Sequence, residues 1–227
     1  MSGFISNLKG FKYPDGELVR YFFKNNLNLK SLKVLELGCG NGNNLALFAD
    51  YDYEVIGVEL KSLNVENANF NFANVYGFHK FNFINQDMRE FCKDTQGLRA
   101  DVLLIPNVAN YITKFDFKKL LEHIIQNELV KPNSDFFIRA RSIKDHRYAL
   151  GEKIDDGVFI LTGDEYSGEK GIICSCYNEY ELVEILKSKL NLRDFTIITS
   201  ENLNVKNGVY IKDSDIIKLG EVRYVSQ

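Results

Sequence analysis

The sequence predicts an α/β fold: a mostly parallel seven-stranded sheet under covering helices, with an antiparallel pair of strands at its C-terminal end. Three observations carry that expectation. Strand-like and helix-like segments alternate from residue 15 to about 141, as they do where helices cross over between parallel strands. The rhythm stops at residues 142–177, which hold charges, glycines and β-branched pairs and read as an insertion, a loop leading to a β-hairpin. Residues 195–199 and 209–219 then read as two closing strands.

The elements follow in order. Residues 15–26 are expected as a helix, because Leu18, Val19, Phe22 and Phe23 form an apolar stripe. Leu32-Lys33-Val34-Leu35-Glu36-Leu37 is a short buried strand ending at Gly38, and a helix begins at Asn43. Residues 54–59 form a second strand, followed by a helix over 62–76. A third strand covers 80–85 and a short helix 88–93. The fourth strand, 101–105, is closed by Pro106. Residues 115–130 are helical, with Leu120, Leu121, Ile124 and Ile125 on one side. A fifth strand covers 135–138, and an amphipathic helix over 178–190 carries Leu182, Ile185, Leu186 and Leu190. With no internal repeat, low-complexity tract or linker, residues 1–227 are expected to form one domain with one insertion.

Composition narrows the function. The chain has 227 residues, 45% of them hydrophobic and 26% charged, as a soluble protein with a real core requires. Its 28 Lys and Arg against 31 Asp and Glu give a net charge of −3, against the basic excess that binding to nucleic-acid phosphates demands. No apolar run approaches the roughly 20 residues of a membrane helix. The stretch from Met1 to Asn7 lacks both a charged and an apolar leader region, so a cytoplasmic protein, bound neither to membrane nor to nucleic acid, is expected. Cys39, Cys92, Cys174 and Cys176 suggest no disulfide framework, although the last two would share a strand face. His79, His123 and His146 have no zinc-like spacing, so no metal is expected. Asparagine clusters at 25–26, 41–44 and 64–74 read as compositional bias on surface helices.

The most informative stretch is Val34-Leu35-Glu36-Leu37-Gly38-Cys39-Gly40-Asn41-Gly42-Asn43-Asn44, a strand, a glycine-rich turn and a helix start. Glycines there let a ligand approach the backbone, and Glu59 at the end of the next strand can accept both hydroxyls of a ribose. A dinucleotide site would need G-x-G-x-x-G. Counted from Gly38 the third glycine falls on Asn43, and from Gly40 on Leu45, so the pattern fails in both frames. That weighs against a nicotinamide-dependent oxidoreductase. Glu36 beside the turn is a poor neighbour for a pyrophosphate and suits a ligand with a positive charge. The pattern favours a nucleoside that carries an amino acid.

Glu36-Leu37-Gly38-Cys39-Gly40-Asn41-Gly42 resembles the first motif of the class I S-adenosylmethionine-dependent methyltransferases. Asn85-Gln86-Asp87-Met88 resembles the family's adenine-binding motif, residues 101–112 its fourth strand and following turn, and residues 195–219 its reversed final hairpin. The resemblance covers about residues 13–220 and implies a Rossmann-like, doubly wound sheet and an enzyme that turns S-adenosylmethionine into S-adenosylhomocysteine. It also implies roles. Glu36 and the backbone of Gly38, Cys39 and Gly40 would hold the methionine part, Glu59 the ribose, and Leu60 would pack on adenine. Asp87 and Met88 would read the adenine edge, and the Asn107 backbone would meet the methionine amine. Tyr13 and Arg20 would close the pocket, Tyr13 also counting as a catalytic candidate. Plainer readings stand beside these: Asp87 as a helix cap, Glu59 as a surface strand end, Arg20 as a solvated helix residue.

In such a fold the chemistry lies beyond the C-terminal ends of the strands. Asn110 and Tyr111 after the fourth strand, and Arg139 and Arg141 at the end of the fifth, are therefore candidates for binding the acceptor. Arg139 and Arg141 would share a strand face and form a fork for a carboxylate or phosphate, or else pair with acids of neighbouring helices. Lys144 and Arg147 add positive charge, Tyr148 adds an aromatic wall, and His146 is the candidate base, unless it is only a loop residue. The fourth strand ends Ile105-Pro106-Asn107-Val108, which departs from the motif of the nucleobase amino-methyltransferases. The expectation is methyl transfer to a small anionic metabolite, to nitrogen rather than oxygen, in a monomer or homodimer. A phosphoethanolamine-like compound or an amino sugar bound for a capsule or surface polysaccharide would fit, with the insertion as a substrate cap. An O-methyltransferase acting on a sugar or glycan precursor, and a non-catalytic cofactor binder, are the alternatives.

Overall fold

In the first stretch of chain, Asp15 caps a helix with its own carboxylate, which accepts from the N–H groups of Glu17 and Leu18; this helix is α1, Gly16–Lys24. The structure, a computed structural model, describes residues 4–163 and 168–222. Residues 1–3, on which part of the leader reading rests, and 164–167, inside the expected insertion, lie outside the described residues, as do 223–227. The chain divides into two compact units, Met1–Leu104 with Asn127–Asp135, and Ile105–Gln126 with Phe136–Gln227.

The first unit carries β1 (Lys33–Leu37), α2 (Asn43–Ala49), β2 (Glu54–Glu59), α3 (Ser62–Phe70), β3 (Phe81–Asn85), α4 (Met88–Asp94) and the start of β4 (Ala100–Pro106). Leu35, Leu37, Val55, Val58, Val102 and Leu104 are buried, as strands covered on both faces require. β1 runs parallel to both β2 and β4, and β2 runs parallel to β3. The register sets Leu37 opposite Val58 and Glu59 opposite Asn85, so the strands end together at one edge. The glycine turn follows β1 there, Glu59 closes β2, and Asp87 follows β3. The helix expected over 62–76 ends as α at Phe70 and continues as a π-helical stretch from Asn71 to Tyr76.

The second unit holds α5 (Lys114–Gln126), most of β5 (Val130–Arg141), a small sheet of β6 (Glu152–Asp155), β7 (Val158–Ile160) and β8 (Ile173–Ser175), then α6 (Glu179–Leu190), β9 (Arg193–Lys206) and β10 (Val209–Val222). The main sheet has seven strands in the order β3-β2-β1-β4-β5-β10-β9, parallel through β3-β2-β1-β4 and with β9 and β10 antiparallel. The doubly wound order expected from the resemblance is present.

Three boundaries differ from expectation, each for a local reason. The helix expected to reach residue 130 stops at Gln126, because Glu128 adopts φ 50 and Val130 already opens β5. The closing strands are 14 residues each, much longer than expected. Asn207 at φ 52 and Gly208 at φ 80 make the two-residue turn that an Asn-Gly pair favours, and the ladder extends from it on both sides. The insertion holds three strands where a hairpin was expected. β6 pairs with β7 on the side away from β8, because Gly157 at φ 66 turns the chain back beside it. The ends of the insertion meet, since the Ile143 N–H donates to the Tyr177 carbonyl and the Tyr177 N–H to the Arg141 carbonyl. No described helix is long and apolar enough to cross a membrane.

Candidate active site

The turn after β1 is built on backbone that side chains resist. Gly38, Gly40 and Gly42 adopt φ 72, 55 and 81. A Cβ on Gly42 would lie 2.8 Å from the Phe72 ring, so packing as well as conformation requires glycine there. A Cβ on Gly40 would meet nothing within 4 Å, which leaves the backbone open to a ligand. The N–H groups of Gly38 and Cys39 both donate to the Val58 carbonyl, tying the turn to the end of β2. Cys39 is buried, and burial pushes its thiol pKa up, so its side chain is unreactive packing.

Two carboxylates flank this turn. Glu59 reaches back to it: Oε2 accepts from the Gly40 N–H at 3.0 Å and Oε1 from the Lys61 N–H at 2.9 Å. Glu36 is 1% exposed; its Oε1 accepts from Asn44 Nδ2 at 2.7 Å, while its Oε2 is buried with no hydrogen-bond partner among the described residues. Burial, opposed by the Asn44 hydrogen bond and reinforced by the Glu59 charge, pushes the Glu36 pKa up to about 8. A buried carboxylate with one oxygen unmet is costly unless a cation or donor arrives.

The asparagines expected to be compositional bias form a clasp around this site. Asn41 accepts from the Phe11 N–H at 2.9 Å and donates to the Phe11 carbonyl at 2.7 Å. Asn71 makes the same paired contact with Lys9, at 2.9 Å each way. Asn43 Nδ2 donates to the Tyr13 carbonyl, and Asn44 Oδ1 accepts from the Asp15 N–H. Residues 9–15 are thus pinned by primary amides, each of which has a donor on nitrogen and an acceptor on oxygen. Asn85 is a further residue the sequence reading left without a role. Its Nδ2 donates to the carbonyls of Glu59 and Leu60 and fixes the end of β2. The sequence signal available was the position of these amides next to the glycine turn and at a strand end.

Among the other candidates of the first unit, Leu60 is 66% exposed and Tyr13 67% exposed, while Met88 is half-buried. Arg20 is solvated and pairs with Glu17 at 3.4 Å. Asp87 caps α4: its Oδ1 accepts from the Arg89 N–H at 2.8 Å, and its Oδ2 lies 2.6 Å from Arg89 Nη2. Those contacts with Arg89 hold its pKa below the usual carboxylate value.

The second unit gathers the acceptor-side candidates differently from a simple arginine fork. Arg139 Nε donates to Asp215 Oδ2 at 3.0 Å. Arg141 is 3% exposed, with Nη1 3.0 Å from Cys174 Sγ and Nη2 3.3 Å from Glu169 Oε2. Arg147 pairs with Asp145 at 2.7 Å, with Asp213 at 3.2 Å and with Glu169 at 3.4 Å. Tyr111 donates its hydroxyl to Glu169 Oε1 at 2.7 Å, and the Arg141 guanidinium stands 5.7 Å from the Tyr111 ring centre. Tyr111, Arg141 and Arg147 therefore converge on one carboxylate, that of Glu169.

Asn110 is buried, its Oδ1 accepting from the Arg141 N–H at 2.7 Å, and Asn107, at φ 62, donates its N–H to the Arg139 carbonyl. His146 Nδ1 lies 3.4 Å from Asp213 and 3.5 Å from Asp145, whose carboxylates Arg147 also bridges. Tyr148 packs edge-on against Phe159 of β7, with ring centres 5.3 Å apart. Lys144 bridges Glu179 and Glu201.

Residues 28–206 match the methyltransferase domain family. The chain belongs to that family. It is a class I, S-adenosylmethionine-dependent methyltransferase. Solved structures agree on the fold. A S-adenosylmethionine-dependent methyltransferase from Methanosarcina mazei shares 17% identity, with a TM-score of 0.68 over 89% of this chain and 98% of that one. The magnesium protoporphyrin IX methyltransferase of Synechocystis, solved with bound S-adenosylmethionine, shares 16% identity, with a TM-score of 0.57 over 92% of this chain and 77% of that one. The 1,6-didemethyltoxoflavin-N1-methyltransferase of Burkholderia thailandensis, solved with its acceptor and S-adenosylhomocysteine, shares 15% identity, with a TM-score of 0.58 over 90% and 77%. No curated protein matches the methyltransferase by sequence. The first unit suits the cofactor: Glu36 offers a buried, unmet carboxylate oxygen to an ammonium group, and the backbone at Gly40 is open.

Proposed function

We propose that the enzyme methylates a small anionic metabolite, with the first unit holding the cofactor and the second the acceptor. Glu36 and the backbone of Gly38, Cys39 and Gly40 hold the methionine part, and Glu59 takes the ribose hydroxyls. Leu60 and Met88 line the adenine. Asp87 reads the adenine amino group only by giving up part of its contact with Arg89, and Tyr13 and Arg20 complete the enclosure. The cofactor supplies an electrophilic methyl group on a sulfonium.

One observation carries the choice of acceptor: Tyr111, Arg141 and Arg147 already surround a carboxylate, so this part of the enzyme accepts an anionic group by its own geometry. Asn110 holds the Arg141 backbone in place, and Arg139, paired with Asp215, adds positive charge at the end of the same strand. Tyr148 and the small sheet of the insertion cap it. An amine acceptor asks little of the protein beyond alignment and loss of a proton, for which His146 is the base. A phosphoethanolamine-like compound or an amino sugar of a surface glycan has both the amine and the anion.

Transfer to oxygen is the second reading. His146 between Asp145 and Asp213 has the flanking carboxylates that orient an imidazole toward a hydroxyl. Incubation with S-adenosylmethionine and a panel of phosphorylated and carboxylated amines and sugars, followed by mass and nuclear magnetic resonance analysis of products, tests both. N-methylated anionic products are expected. O-methylated products favour the second reading, and turnover of neutral acceptors alone removes the anionic one.

A further inference from the structure

Glu169 of the insertion places its carboxylate among donors from Tyr111, Arg141 and Arg147. Among its partners are two guanidinium groups and a phenol, a set that binds carboxylates and phosphates in general. The contacts are uneven. The Tyr111 hydroxyl is close, at 2.7 Å, but the guanidinium distances are 3.3 and 3.5 Å from Arg141 and 3.4 Å from Arg147. Charge-assisted bonds of good geometry run at about 2.7–2.9 Å. Arg147 does not depend on Glu169, since Asp145 and Asp213 both pair with it. Arg141 shares its charge between Glu169 and the Cys174 sulfur, which lies 3.0 Å from Nη1. It is almost wholly buried, and its next carboxylate, Asp145, is 3.9 Å away. Burial raises the Glu169 pKa, but Tyr111, Arg141 and Arg147 outweigh it and hold the carboxylate below its ordinary value.

We propose that Glu169 is a resident stand-in for the substrate: it fills an anion site formed by Tyr111, Arg141 and Arg147 and is displaced when the acceptor's carboxylate or phosphate enters. The proposal rests on the anionic-acceptor reading above and adds to it the residue that yields. Without a ligand the buried Arg141 keeps a counter-charge, so the site stays assembled at little cost in stability. On entry, Glu169 returns to water and regains its hydration, and the better-placed anion takes the same donors. Neutral acceptors cannot make that exchange, because they would leave Arg141 short of a charge, so the device also selects against them.

The test measures binding of inorganic phosphate, and separately of acetate, to the full chain by calorimetry at constant ionic strength, for the wild type, Glu169→Gln and Glu169→Ala. Both variants are expected to bind phosphate at least tenfold more tightly than the wild type and to gain thermal stability from it. Adding Tyr111→Phe to Glu169→Ala is expected to weaken that binding several-fold. Acetate tightening more than phosphate assigns a carboxylate acceptor, and the reverse a phosphate. Equal phosphate and acetate affinities in wild type and variants overturn the proposal. If the variants fail to fold, hydrogen exchange of residues 168–172 in the wild type replaces them. Faster exchange with phosphate than with chloride is expected, and no difference overturns the proposal. S-adenosylhomocysteine binding and methyl transfer to anionic acceptors, followed in the same samples, keep the two readings apart. Transfer without any change at Glu169 removes only the stand-in, whereas tightened phosphate binding without transfer removes only the acceptor reading.

Discussion

The Glu59 carboxylate accepts a hydrogen bond from the Gly40 N–H at 3.0 Å and so bridges the end of β2 and the middle of the glycine turn. Its second oxygen is tied to the Lys61 N–H at 2.9 Å. A carboxylate placed there by two backbone donors has little rotamer freedom left to lose when a ribose arrives, and such preorganisation favours binding.

Glu36 makes cofactor binding depend on pH. With its pKa near 8 the free enzyme carries this carboxyl largely protonated at neutral pH, and an arriving ammonium group favours the ionised form. Binding of S-adenosylhomocysteine should therefore release a proton below pH 8 and tighten as pH rises toward 8. Calorimetry at pH 6.5 in buffers of different ionisation enthalpy should show release approaching one proton, and proton uptake would contradict the role. In the free enzyme the sign for stability is opposite. The folded state binds the extra proton between pH 4.5 and 8, so this contribution is full below 4.5 and is lost as pH rises through 8. Glu36→Gln should flatten that slope in thermal melts.

Asn44 joins the clasp to the buried acid, since it accepts from Asp15 and donates to Glu36. Asn44→Ala removes both bonds and leaves Glu36 with neither oxygen satisfied. The expected cost is about 2–4 kcal/mol in denaturant unfolding, from one lost hydrogen bond and one buried acceptor left unmet. Asn41→Ala, which frees only Phe11, should cost less, and an equal or smaller loss for Asn44→Ala would count against the link to Glu36.

Lys218 on β10 is wholly buried, and its Nζ has no hydrogen-bond partner among the described residues, only the face of Phe195, 3.6 Å from the ring centre. Burial and then the Lys187 charge push its pKa down to about 8. The unfolded chain binds the proton more firmly between pH 8 and 10.5, so stability from this group rises across that window. Lys218→Met should stabilise the enzyme at pH 7 by about 1–3 kcal/mol, with the gain vanishing toward pH 10.5. A destabilised variant at pH 7 would contradict that.

Much of this was legible in the sequence because it depends on local pattern. The apolar runs at 34–37 and 54–59 and the three closely spaced glycines fixed the strand, the turn and the strand that follows, and Glu59 fell where the pattern put it. What was hidden depends on pairing at long range. The asparagines at 41, 43, 44 and 71 reach backbone as far as 62 residues away, and composition cannot say which amide meets which peptide. Arg139 and Arg141 were correctly placed at the strand end, but Asp215 lies 76 residues from Arg139 in sequence, and Glu169 sits in an insertion with no pattern to read. The long closing hairpin is a different case. Asn207-Gly208 is a strong local turn signal, and weighing it would have extended both strands.

The most direct test is a calorimetric titration of S-adenosylhomocysteine into the wild type and Glu59→Ala side by side, with melting temperatures as a check on folding. One molecule per chain should bind the wild type, and the variant should remain folded but bind at least about tenfold more weakly, as the loss of hydrogen bonds to a charged acceptor requires. Equal affinities, or a folded wild type that gives no heat at all, would contradict the assignment of this turn and this carboxylate to the nucleoside.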